Sequence, residues 1–310
     1  MAPEPMVAAL NAPVTSHPRL APTGVLSDYW ALTKPEVNFL IVITTFAGFY
    51  LGCGVGWHNF PFVRGLNAVL GTLLVASGTG TLNQYIERRY DGQMRRTARR
   101  PLAAGRLKPS AVLWFGVALS MLGSLYLAVA VNLLACILAM ATLLSYLLLY
   151  TPLKRKTPLC TLIGAFPGAM PPLIGWAAAA GRLSFEAWVL YAVLFLWQFP
   201  HFMAIAWMYR TDYARAGYRV LPRRDDSQGC WVDFQTLLPL LILAVLNLFL
   251  VLTSYSGGMY LIGSLLLSGG FLYYGVQFVL RLSNFAARRL LTASIIYLPS
   301  LFVLMILSKG

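Results

Sequence analysis

Seven stretches of this 310-residue chain run 19 to 47 residues without a charged side chain. A bilayer crossing takes about 20 residues, so each stretch is long enough to span. The 45 uncharged residues between Lys108 and Lys154 allow two passes, with a turn near Asn132. The 47 between Asp233 and Arg281 allow two more, with a turn at Ser254–Gly258. The total is nine. Lipid offers no partner to free backbone groups, so runs this apolar are expected to be helical. The predicted fold class is an all-α membrane protein, a bundle of nine transmembrane helices. A composition 58% hydrophobic and 11% charged excludes an ordinary soluble domain.

The net charge of +14 would suit nucleic acid, but its placement points to membrane orientation. With the N-terminus in the cytoplasm, 21 of the 24 Lys and Arg residues fall on the inner side, and only Arg64, Arg182 and Lys309 fall outside. That asymmetry is the positive-inside signal. It predicts a bacterial inner-membrane protein with a cytoplasmic N-terminus and a periplasmic C-terminus. No nucleic-acid partner is expected; the lipid bilayer is. Residues 1–26 lack a signal core and are expected to form a disordered cytoplasmic tail, leaving 27–310 as the membrane domain. Ser27–Pro35, with Tyr29 and Trp30 beside Lys34, suits the headgroup layer. Cys53, Cys136, Cys160 and Cys230 show no metal-binding or disulfide spacing.

The second span ends in Asn83–Pro101, NQYIERRYDGQMRRTARRP. Asn83, Glu87 and Asp91 are spaced i, i+4, i+8, drifting by only about 40° per step on a helix, so they share one face. A cluster of arginines follows. Oxygen donors on one face beside a basic loop suit a divalent cation held with a multiply charged anion, because magnesium takes carboxylate and phosphate oxygens and arginine grips phosphate. In the sixth span, Gln198 and His201 lie on nearly one face. A straight helix would carry Asp212 to within about 20° of His201 and about 16 Å further along. An ionisable side chain inside a span marks function by default. The second and sixth spans run in the same direction, so Glu87, Asp91 and Asp212 all reach the cytoplasmic surface. A central cavity open to that side would take an apolar tail below a diphosphate. The fifth span, LIGAFPGAMPPLIGW, is expected to be broken at its prolines.

The N-x-x-x-[DE]-x-x-x-D run followed by M-x-R-T-x-x-R-P resembles the UbiA-like intramembrane prenyltransferases. YTPLKRKTP (Tyr150–Pro158), GAFPGAMPPLIGW (Gly164–Trp176), WQFPHF (Trp197–Phe202) and DYARAGYRVLP (Asp212–Pro222) resemble the branch of that family acting on protohaem IX. Two positions depart from the usual pattern: Glu36 stands where Arg is commoner, and Glu87 where Asp is. The resemblance implies transfer of farnesyl from farnesyl diphosphate to a vinyl group of haem B, with addition of water, to give haem O. It implies Mg²⁺ as cofactor, held by Asn83, Glu87, Asp91 and Asp212, with Arg96 and Arg100 among the catalytic residues. Arg95, Lys154, Lys156 and Arg210 would hold the diphosphate, and His201 and Gln198 the haem. Transient contact with haem A synthase or with terminal-oxidase assembly is a further implication. Two other readings stay open at this point. One is the same fold acting on a quinone precursor or chlorophyll-type ring. The other is a secondary transporter, which broken spans also suit.

Overall fold

The computed structural model describes residues 24–54, 56–221, 227–253 and 258–309. Among them are nine helical spans long and apolar enough to cross a membrane, the number expected from the uncharged runs. The chain enters through a short helix, α1 (Val25–Leu32). Its Leu26 and Trp30 are exposed, while Asp28 turns inward to Arg106 at 2.9 Å. An apolar outer edge with one internal ion pair fits the interfacial position expected for this segment. Lys34 then adopts a left-handed backbone (φ 54°). Pro35 opens α2 (Pro35–Gly52), where its missing N–H leaves no helical bond unmade.

The second span, α3 (Phe62–Asp91), is 30 residues long, about 45 Å at 1.5 Å per residue. Its last turns therefore project beyond the apolar layer and carry the polar face with them. α3 lies along α4 (Pro109–Ala130). The fourth span is not a plain α-helix to its end. α5 (Leu133–Leu144) widens into a π-helical turn at Ser145–Tyr150, followed by Thr151–Leu153. Pro152 has no N–H to return to the ladder, and just before it the Tyr146 carbonyl accepts twice from Thr151, from its N–H and from its Oγ1 at 2.8 Å.

The fifth span is broken as expected, into α6 (Cys160–Gly168) and α7 (Met170–Ala180), with Pro171 and Pro172 in the first turn of α7. α7 packs on α2 nearly backbone to backbone. A Cβ at Gly175 would strike the Thr45 carbonyl, and one at Gly48 the Pro172 carbonyl. Close approach through small residues is the main attraction open to helices in lipid, where apolar burial drives nothing.

α8 (Phe185–Met208) stops at Tyr209, whose φ of −106° and ψ of 18° leave the helix; α9 (Arg210–Arg215) starts afresh. A straight extrapolation from His201 to Asp212 therefore does not hold. α10 (Ser227–Thr253), α11 (Gly258–Arg281) and α12 (Asn284–Leu307) complete the bundle. α10 and α12 begin before the uncharged runs that follow Asp233 and Arg289, at Ser227 and at Asn284. A charged residue marks where a helix leaves lipid, not where its hydrogen bonds end. These last helices also carry more polarity than their composition suggests: Asn247 donates to the Tyr297 hydroxyl at 2.6 Å and to Ser268 at 3.1 Å. The helices form a ring that closes where α12 meets α2. Large apolar side chains such as Trp114 and Val129 face outward, as lipid requires. The expected tail over residues 1–23 and the turn over residues 254–257 lie outside the described residues.

Candidate active site

Inside the ring lies a cavity of about 350 Å³, bordered by α2, α3, α5, α6, α7 and α8. That is near the small end of the ~300–1,000 Å³ usual for ligand pockets. Its walls are mainly apolar, with Thr44 and Thr72 toward one end and Lys34, Tyr146 and Tyr150 toward the other. Gln198 and His201, predicted together on one helix face, both border it. Gln198 donates to the carbonyls of Ala165 (3.2 Å) and Leu194 (3.0 Å), tying α8 to the broken span. Gly168 must lack a side chain there, because a Cβ would meet the Gln198 amide oxygen.

Lys34 joins this cavity to the acidic face of α3. Its Nζ donates to Asn83 Oδ1 at 2.8 Å. One turn on, Lys154 Nζ reaches Glu87 Oε1 at 2.9 Å, and a further turn on, Arg100 Nη1 reaches both Asp91 oxygens at 2.8 and 2.7 Å. The three predicted metal-side residues thus do share a face, and all are buried: Asn83 is 1% exposed, Glu87 6% and Asp91 1%. Carboxylates so deeply buried need partners, and each has a cation from a different segment. Burial, with the Arg100 charge nearby, lowers the pKa of Lys34 to about 7. Burial also works against the charge on Lys154, but Glu87 beside it outweighs this and holds its pKa well above the ordinary lysine value.

Asp212 reaches the same end of the bundle by another route. It is buried on α9, where its Oδ2 accepts from the backbone N–H of Arg96 at 3.4 Å and its Oδ1 from Arg215 at 3.4 Å. Arg96 belongs to the loop after Asp91, and in that loop Thr97 Oγ1 donates to the Asp91 carbonyl at 2.8 Å. A second loop, the one holding Lys154, joins them, since the Arg219 N–H donates to the Lys154 carbonyl at 2.8 Å. Asp91 and Asp212 therefore stand at one end of the molecule, joined through a single loop.

The predicted anion-binding residues separate into groups. Lys154 and Arg100 are in the cluster, and the Arg96 guanidinium lies 5.2 Å from the Tyr209 ring centre. Arg95, Arg96 and Lys156 are all exposed, and of the three Arg96 touches the site through its backbone bond to Asp212. Arg210 bonds the Trp207 carbonyl (2.7 Å) and Asn284 Oδ1 (2.9 Å). The break at Tyr209 turns it toward α12. Lys34 is the residue that sequence reasoning left out of the site, reading it as a basic charge on the inner side and as part of the headgroup-layer segment. Its signal was position: it precedes Pro35 in a strongly apolar chain. Tyr218, in the DYARAGYRVLP run, was also passed over. It packs on Tyr90 and Tyr213, and burial together with the Glu87 charge raises its pKa.

The donor set is oxygen only, as magnesium prefers. Among the described residues, however, no three carboxylate, imidazole or thiol groups converge on one point. Each carboxylate is turned toward its own cation, so holding a metal requires these pairs to open. The residues fit the ion in chemistry and in shared location.

The pattern of the UbiA prenyltransferase family matches residues 32–302. A protoheme IX farnesyltransferase from Solibacter usitatus is 47% identical over 290 residues, covering 92% of this chain and 99% of that one. The chain belongs to the UbiA prenyltransferase family. As a UbiA member it is a prenyltransferase. Two solved structures share the fold. A digeranylgeranylglyceryl phosphate synthase superposes with a TM-score of 0.72 at 17% identity, over 91% of this chain and 98% of its own. A UbiA homolog from Archaeoglobus fulgidus bound to GPP and Mg²⁺ gives 0.59 at 14%, over 90% and 99%. In this chain the fold puts a polar, charge-paired end over an apolar slot.

Proposed function

We propose that this protein transfers the farnesyl group of farnesyl diphosphate to a vinyl group of protohaem IX, with addition of water, giving haem O and diphosphate. The observation that carries this reading is the junction at Lys34, where the acidic face of α3 meets the apolar cavity. The names of the close relatives supply the acceptor.

In this reading Asn83, Glu87, Asp91 and Asp212 hold Mg²⁺. When bound, the metal supplies Lewis-acid stabilisation of the leaving diphosphate; the Archaeoglobus homolog bound to GPP and Mg²⁺ supports the assignment. The chain's own cations do the rest of the electrostatic work. Released from Glu87 and Asp91, Lys154 and Arg100 are free to turn to the diphosphate oxygens, with Lys34 alongside and Arg96 next to Asp212. Preorganised cations in a dry site stabilise developing charge far better than water does. Arg95 and Lys156, both exposed, serve the approach of the anion rather than its final hold. The cavity walls keep bulk water from the allylic cation. His201 and Gln198 position the haem. The basic ends lie in the cytoplasm of a bacterial inner-membrane protein, and the C-terminus lies on the periplasmic side.

Asp91→Ala and Asp212→Ala are each expected to abolish turnover in detergent-purified protein, and a chelator should do the same to the parent chain. Near-full activity in both variants would contradict the site.

A further inference from the structure

His201 and Trp197 sit one turn apart on α8, and both grip the same residue of α12. Trp197 Nε1 donates to the Ser294 carbonyl at 2.8 Å. His201 Nδ1 lies 2.8 Å from Ser294 Oγ. The indole also stacks on the imidazole, with ring centres 4.7 Å apart and planes 29° from parallel. Ser294 is fully buried. The imidazole is therefore held by its face and by one edge, and it borders the cavity.

Which nitrogen carries the proton follows from the hydroxyl. Ser294 Oγ is 2.6 Å from the Leu291 carbonyl, one turn back on α12, and a carbonyl only accepts. The single hydroxyl proton is used there. Toward His201 the oxygen can only accept, so Nδ1 must carry the N–H. A neutral imidazole has one ring proton, which leaves Nε2 bare, with its lone pair available to the cavity. Histidines that bind metals characteristically donate their other N–H to a fixed acceptor, which sets both tautomer and ring orientation.

We propose that Ser294 is a positioning residue that locks His201 in the Nδ1–H tautomer and presents Nε2 as ligand to the iron of the haem substrate. The inference rests on haem being the acceptor, as proposed above, and deepens it by naming the atom that meets the iron and the hydroxyl that aims it. Nothing else in the contact between α8 and α12 requires a serine at this position: the Trp197 bond goes to the backbone and would survive any side chain.

The test is haem binding by the purified full chain, read by titration and by the iron–histidine stretching band in resonance Raman. The parent protein should show the band. His201→Ala should lose it. Ser294→Ala should weaken haem affinity by about 10- to 100-fold and shift or broaden the band, with the KM for farnesyl diphosphate unchanged. Ser294→Thr, which keeps a hydroxyl, should restore both affinity and band. Wild-type affinity and an unaltered band in Ser294→Ala would overturn the proposal, as would equal losses in Ser294→Ala and Ser294→Thr. A band that persists in His201→Ala would overturn the iron contact while leaving the haem acceptor intact. Absence of haem binding by the parent protein would reject the acceptor itself.

Discussion

Lys34 is placed where one side chain can serve both halves of the site. It borders the cavity and donates to Asn83 at 2.8 Å from a backbone angle that L-residues seldom adopt. The left-handed conformation costs roughly 1–2 kcal/mol, and such strain persists only where the surroundings enforce it. Here α1, anchored through Asp28 and Arg106, and the start of α2 set the turn from both sides. Lys34→Met keeps the length and removes the charge. Hydrogen bonds to charged groups are worth ~1.5–3 kcal/mol, so kcat/KM for farnesyl diphosphate should fall by about ten- to a hundredfold. Steady-state kinetics at saturating haem checks this, and an unchanged value would remove Lys34 from the site. The acidic residues could be read from spacing alone, because i, i+4, i+8 on a helix leaves no other arrangement. Their partners could not. Lys34 is 49 positions from Asn83, Lys154 is 67 from Glu87, and both depend on how loops turn.

At the scale of elements, the closest contact is between α2 and the second half of the broken span. Gly175→Ala would put a methyl against the Thr45 carbonyl and force α2 and α7 apart. Overpacking of this kind costs typically ~1–3 kcal/mol, and it should appear as a lower midpoint of thermal unfolding in detergent. Gly269→Ala is the control. Gly269 is on α11 with open space around it, and alanine gains up to ~1 kcal/mol of helix propensity. Equal effects from the two substitutions would mean that the α2–α7 contact is looser than described. The break in this span was legible because prolines cannot continue a helical ladder. The π-helical turn at Ser145–Tyr150 was not, although Pro152 stood in plain view. A proline shows that the ladder is interrupted without showing how the freed groups are satisfied. The break at Tyr209 had no such marker, and the bond from Arg210 to Asn284 that follows from it could not be read from spacing.

For the whole molecule, the number of spans followed from a physical constraint with little slack: apolar runs of fixed minimum length and a backbone that must bond to itself. The ring and its cavity follow from packing that no single segment encodes. Two loops and one helix end interlock at the charged end, so that Asp91 and Asp212, which arrive on different spans, share one loop. This makes the charged end a single electrostatic unit set over an apolar slot, and the proposed reaction needs both at once. The most direct test incubates the detergent-purified protein with haem B, farnesyl diphosphate and Mg²⁺, then extracts the haem and measures its mass. A gain of one farnesyl group plus one hydroxyl, lost on adding a chelator, is predicted. Unmodified haem under conditions where the protein still consumes farnesyl diphosphate with another acceptor would contradict the account.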